Sequence, residues 1–168
     1  NTGNGGALNL TKVNGTSDAT PVTGLFGTAR DLNSTILTSG PTHAGEPTGK
    51  AFTFSAWVTP HQLGGEVLVA IKSLSDSSWN VPYCMFMLRL PSSSNGSWQA
   101  MLATTDKGYG DIITATNRNF LLRLRETSFL AATYDGSRLR LYFDGALAAD
   151  ASWTGDVLTG LGSWQLGG

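Results

Sequence analysis

Charge is scarce in this chain of 168 residues: Asp, Glu, Lys and Arg together make up 14%, against about a quarter in an ordinary soluble domain. The 11 basic and 12 acidic side chains leave a net charge of −1. Such a balance offers no basic footprint for nucleic acid. One cysteine, Cys84, excludes an internal disulfide, and the two histidines, His43 and His61, form no His/Cys ligand motif with it in the sequence. The three glutamates, Glu46, Glu66 and Glu126, stand far apart, so no strand carries the close carboxylate pair that glycoside hydrolysis uses. His43 and His61 lie beside prolines without a nucleophile-elbow context. No apolar run approaches the roughly 20 residues of a membrane span, so membrane insertion is not expected.

Small and hydroxylated residues fill the gap. There are 21 glycines, 16 serines and 20 threonines, and hydrophobic residues at 40% suffice for one core. Four of nine asparagines head an Asn-X-Ser/Thr triplet: Asn9, Asn14, Asn33 and Asn95. Chance supplies roughly two, so these are candidate N-glycosylation sites, and their use would place the chain in a secretory pathway, outside the cell or on its surface. Asn1 opens a polar Gly/Asn run rather than a basic and apolar leader, which reads as a processed terminus or a cut within a longer chain.

Hydrophobic periodicity is that of strands. Residues 1–50 are loop-rich, broken by Pro21, Pro41 and Pro47. Phe52, Phe54, Ala56 and Val58 alternate with Thr53, Ser55, Trp57 and Thr59, and residues 66–72 form a continuous apolar run suited to an interior strand. Further strands are expected over 83–90, 98–104 and 112–116, with period-two alternation again over 120–125. In the first of these, alternation puts Cys84 on the apolar face of Phe86, Leu88 and Leu90. Asp135-Gly136 and Asp144-Gly145 separate three alternating runs and predict consecutive hairpins with positive φ at the turns. Leu139, Leu141 and Phe143 should face the core there, leaving Arg138, Arg140 and Tyr142 outward. No apolar 3.6 period persists for three turns. The expectation is an all-β, two-sheet antiparallel sandwich or jelly roll with little helix.

The stretch from Phe129 to Leu147, FLAATYDGSRLRLYFDGAL, resembles the laminin-G-like, concanavalin-A-like lectin/glucanase jelly-roll family. Gly24 to Leu32 and Phe52 to Val58 are similar to two other segments of that family, in the expected order. The resemblance covers roughly residues 20–168 and implies a single jelly-roll domain over 1–168. It also implies a strand at each end that this chain does not show, although residues 7–13 could replace the first. The domain therefore reads as part of a longer polypeptide, or as one whose open sheet edges a neighbouring domain or subunit closes.

The resemblance further implies binding at the sandwich rim, with calcium as a cofactor expectation. Two loops carry suitable oxygens, through Asp76 and Asn80 and through Asp106 and Asp111; solvated loop aspartates are the alternative. Trp79, Asn80 and Tyr109 in the same loops are candidate glycan contacts, the two aromatics as stacking platforms or as partly packed side chains. Arg123, Arg125, Arg138 and Arg140 form either an outward basic stripe for acidic glycans or a solvated strand face. The expected function is a non-catalytic extracellular or cell-surface recognition and adhesion module for glycan or protein. Two alternatives stand beside it: a structural block of a filament, wall or scaffold, and an accessory domain of a larger hydrolase.

Overall fold

The computed structural model describes residues 11–12, 20–25, 27–32, 35–42, 46, 50–74, 84–92, 95–106, 113–115 and 118–167. Among the described residues four strands precede residue 50: β1 (Thr11–Lys12), β2 (Thr20–Gly24), β3 (Gly27–Asp31) and β4 (Leu37–Pro41). They are followed by β5 (Phe52–Val58), β6 (Val67–Ser73), β7 (Cys84–Leu90), β8 (Trp98–Leu102) and β9 (Ile113–Ala115). The last four are β10 (Ser128–Tyr134), β11 (Arg138–Phe143), β12 (Ala146–Ser152) and β13 (Ser163–Leu166). One 3-10 turn, Arg118–Phe120, is the only helical element among the described residues.

A seven-stranded sheet in the order β1-β4-β13-β6-β7-β8-β9 accompanies a four-stranded sheet in the order β12-β11-β10-β5. All their pairings are antiparallel, and β2 with β3 makes a separate hairpin. Between these two sheets the chain crosses from β4 to β5, from β5 to β6, from β9 to β10, and from β12 to β13. Alternation then directs every second side chain of each sheet into a shared core. Phe52 and Phe54 from one sheet meet Phe86 from the other, with ring centroids 4.9 and 5.2 Å apart. Leu88, Leu90, Leu102, Leu130, Leu139 and Leu141 complete the layer. Buried indoles satisfy their N–H groups on carbonyls: Trp98 donates to Phe120 O (3.0 Å) and Trp153 to Leu102 O (3.0 Å).

The two Asp-Gly hairpins form where expected. At the second, Asp144 (φ 49°) and Gly145 (φ 85°) both take the left-handed region, while at the first only Gly136 does (φ 90°). Asp135 holds that first turn by accepting from Ser137 N (2.9 Å), Ser137 Oγ (2.7 Å) and Arg138 N (2.8 Å). These bonds, with the Arg140 guanidinium, hold the Asp135 carboxyl well below the usual carboxylate range.

Two expectations fail locally. Residues 120–125 are not a strand: Leu122 is buried and Leu124 half exposed, and Arg125 sits at φ 62°. Their amides bond outside any ladder, Leu122 N to Gly96 O and Arg125 N to Pro60 O. Cys84 does not share the Phe86 face. The β6–β7 register shifts between Lys72↔Phe86 and Ser73↔Cys84, and this irregularity turns Cys84 to the opposite side of the sheet. There it is buried with Ile71, Met87 and Met101. Burial pushes its thiol up to about 12.

Lys72 closes the end of β6. Fully buried, its Nζ donates to the carbonyls of Thr42 (3.0 Å), Gly160 (2.8 Å) and Gly162 (2.7 Å), with Ser73 O at 3.3 Å. Glu46 Oε1 lies 3.0 Å away and also accepts from Gly160 N. Glycine is required at 160 and 162, because a Cβ at either would overlap the Leu74 or Ser73 carbonyl.

Candidate functional site

Of the rim residues the sequence singles out, Asp106 alone can be placed. Asp76, Trp79, Asn80, Tyr109 and Asp111 lie outside the described residues. Asp106 is exposed and follows Thr105, whose Oγ1 donates to its Oδ1 (3.3 Å). Thr105 also binds the loop before Val157: its amide donates to Asp156 O (2.9 Å) and its Oγ1 accepts from Asp156 N (3.0 Å). Gly155 packs against this junction at φ 98°, and Tyr134 donates its hydroxyl to Gly155 O (2.5 Å). Burial first, then the charges of Asp106, Asp135 and Asp156, raise the Tyr134 pKa. Sequence spacing does not reveal that Asp156 neighbours Asp106, since 50 residues separate them. Lys50 Nζ lies 3.7 Å from Asp156. Among the described residues no three His, Cys, Asp or Glu side chains form a group able to hold a metal ion.

Among the asparagines, Asn9, Asn14 and Asn33 fall outside the described residues, while Asn95 is exposed in the turn between β7 and β8.

The basic stripe does not form. Arg138 and Arg140 do face outward from β11, but Arg138 pairs with Asp150 on the neighbouring strand β12. Arg140 pairs with Asp135 at 2.5 Å and approaches Asp150 at 3.9 Å. Two cations and two carboxylates thus neutralise one another on this face. Arg123 and Arg125 lie in the irregular segment instead, with Arg123 3.6 Å from Glu126.

A polar group the sequence reading passed over lies on the outer face of the seven-stranded sheet. Arg89 and Gln99 are register partners on β7 and β8, and Arg89 Nε donates to Gln99 Oε1 (3.2 Å). Arg89 Nη1 also donates to Glu66 Oε1 (2.6 Å), on the residue just before β6. Next to this trio along the strands come Met87 and Met101, again register partners and both buried. The guanidinium is mostly covered and the Glu66 carboxylate half exposed, so a rigid donor fork and an acceptor are presented together. Pairing the strands from the Ser-rich turn outward would have matched Arg89 with Gln99; Glu66 needed the β6–β7 register as well.

Fold and topology define a jelly-roll β-sandwich of the lectin type. A family model for the concanavalin A-like lectin/glucanases superfamily matches residues 32–168, and the chain belongs to that superfamily. The Gly24–Leu32 segment precedes this match except for its last residue and forms β3 and the end of β2. No curated protein matches the chain.

Among solved structures, it is similar to domain 4 of AbnA, a GH43 extracellular arabinanase of Geobacillus stearothermophilus, in complex with arabinotriose. Identity is 16% and the TM-score 0.63, over 89% of this chain and 66% of that one. It is also similar to the carbohydrate-binding module CBM66 of Bacillus subtilis, at 14% identity and TM-score 0.50, over 95% and 86%. The laminarinase catalytic domain of Thermotoga maritima matches at 12% identity and TM-score 0.50, over 89% and 62%. Carbohydrate-binding modules and catalytic domains thus share this fold.

Proposed function

We propose that the chain is a non-catalytic glycan-recognition module that serves as one domain of a longer extracellular or cell-surface protein. The observation carrying this reading is the preassembled Glu66–Arg89–Gln99 trio on the outer side of the seven-stranded sheet, with the Glu66 carboxylate half exposed. Sugar hydroxyls are recognised by fixed planar donors and acceptors of this kind, because the protein loses little side-chain entropy on binding. The absence of catalytic constellations in the sequence supports binding over hydrolysis, as does similarity to a carbohydrate-binding module. Similarity to one domain of an arabinanase supports an accessory role beside an enzyme over an independent adhesive or filament-building role.

The test is native affinity electrophoresis in gels containing soluble arabinan or laminarin. The wild type should be retarded in at least one, and Arg89→Ala should lose about tenfold in affinity, the cost of one charge-assisted hydrogen-bond site. Absence of retardation in both gels would reject the reading. Calcium enters through the Asp106 rim. Repeating the gels with EDTA and with Asp106→Asn decides its part, since a calcium-assisted site weakens in both.

A further inference from the structure

We propose that the outer face of the four-stranded sheet is a second glycan-contact surface, distinct from the Arg89 patch, that takes an uncharged oligosaccharide. Register places apolar side chains on all four strands, in a row that steps by two residues on β10. Trp57 on β5 stands opposite Phe129 on β10, with ring centroids 5.1 Å apart at 50°. One step along, Ala131 on β10 stands opposite Tyr142 on β11, and Tyr142 opposite Leu147 on β12. Trp57 is 50% exposed and Leu147 48%, whereas the alternate residues Leu130, Leu139 and Leu141 are buried in the core. Four strands at a spacing of about 4.8 Å make the row about 14 Å across, longer than a single sugar ring.

The surroundings select the ligand. Towards the other end of the strands come the hydroxyls of Ser55, Thr53 and Thr133, with Thr133 the register partner of both Thr53 and Arg140. Beyond them lie Arg138, Arg140, Asp135 and Asp150, whose charges sum to zero and which already satisfy one another. A polyanionic chain would have to displace Asp150 or Asp135 to reach either guanidinium. An uncharged sugar needs only aromatic faces for its C–H surfaces and neighbouring hydroxyls for its own. A protein partner fits less well. With Trp57 and Leu147 half exposed and the rest of the row more covered, it offers on the order of 300 Å². A stable interface takes about 800 Å² from each partner.

The same affinity gels test this separately from the Arg89 reading, with polygalacturonate added as a polyanionic arm. Trp57→Ala should weaken binding to neutral arabinan or laminarin about tenfold, and Trp57→Phe should recover most of it. Tyr142→Ala should weaken it too, and none of these forms should bind polygalacturonate. Thermal melts confirm folding, which removal of a half-exposed ring leaves largely intact. Loss with Trp57→Ala but not Arg89→Ala would uphold this surface and reject the Arg89 patch. The reverse pattern would reject this surface and leave the function standing. Preference for polygalacturonate overturns the proposal. So does sedimentation showing that Trp57→Ala dissociates an oligomer without changing glycan affinity. No retardation of the wild type by either neutral polymer overturns both readings.

Discussion

Replacing Lys72 by Met tests how the sandwich is locked at the end of β6. Methionine keeps the length and apolar stem of the side chain and removes only the ammonium. Three carbonyls of 160, 162 and 42 then lose a donor within 3.0 Å, and the Glu46 carboxylate, 7% exposed, loses its counter-charge. Each orphaned buried acceptor costs about 1–3 kcal/mol when taken alone, but relaxation prevents the terms from adding. Breaking a buried pair by removing one partner costs about 3–5 kcal/mol in total, and that is the expected loss. At about 2–4 °C per kcal/mol for a chain of this size, the melting temperature should fall by roughly 6–20 °C.

Urea unfolding followed by tryptophan fluorescence measures the loss directly, with an unchanged slope showing that the folded state is the same. Glu46→Gln keeps an acceptor for Gly160 N and should cost less than Lys72→Met. The double variant Lys72→Met/Glu46→Gln should be more stable than the sum of the two single losses predicts, because it leaves no unpaired charge. A loss under about 1 kcal/mol for Lys72→Met would refute the reasoning, since it would mean that water already serves these groups.

Three further outcomes follow from local geometry. The Asp135 carboxyl has a folded-state pKa below its unfolded value of about 3.9, so its contribution is complete above about pH 4 and is lost as pH falls towards 2. Urea midpoints across that range should fall less steeply for Asp135→Asn than for the wild type; parallel profiles would contradict this. Cys84, with its thiol at about 12, should resist iodoacetamide at pH 8 until urea unfolds the chain, and rapid labelling of the native protein would be the contrary result. Gly96→Ala meets both a φ of 100° and the Leu122 carbonyl, and should cost about 2 kcal/mol or more in chemical unfolding. A change under 0.5 kcal/mol would contradict that reading.

The legible parts of the fold were those set by short-range rules. Alternation in Phe52–Val58 and the two Asp-Gly turns define β5 and β10 to β12 almost to the residue. Residues 120–125 imitate a strand because Leu122 and Leu124 sit two apart. What decides their conformation is a bond from Leu122 to Gly96, outside any ladder and invisible in the pattern. Cys84 was misassigned because one irregularity in register inverts every side chain beyond it. Lys72 reads as the polar end of an apolar strand, since its partners lie 26 residues before it and about 90 after it. The pairing that decides between the two readings of Arg138 and Arg140 is hidden for a nearer reason. Asp150, the register partner of Arg140, lies just past the second hairpin, but the bulge at Leu141/Tyr142 obscures the match.

Binding without turnover is the central claim, and one incubation addresses it. Wild-type protein and Arg89→Ala are mixed with soluble arabinan and with laminarin, and retained protein and newly formed reducing ends are measured in the same samples. The account predicts that wild type is retained on at least one polymer, that Arg89→Ala is retained about tenfold less, and that reducing ends stay at the level of the protein-free control. Release of reducing sugar by the wild type, or no retention on either polymer, would contradict it.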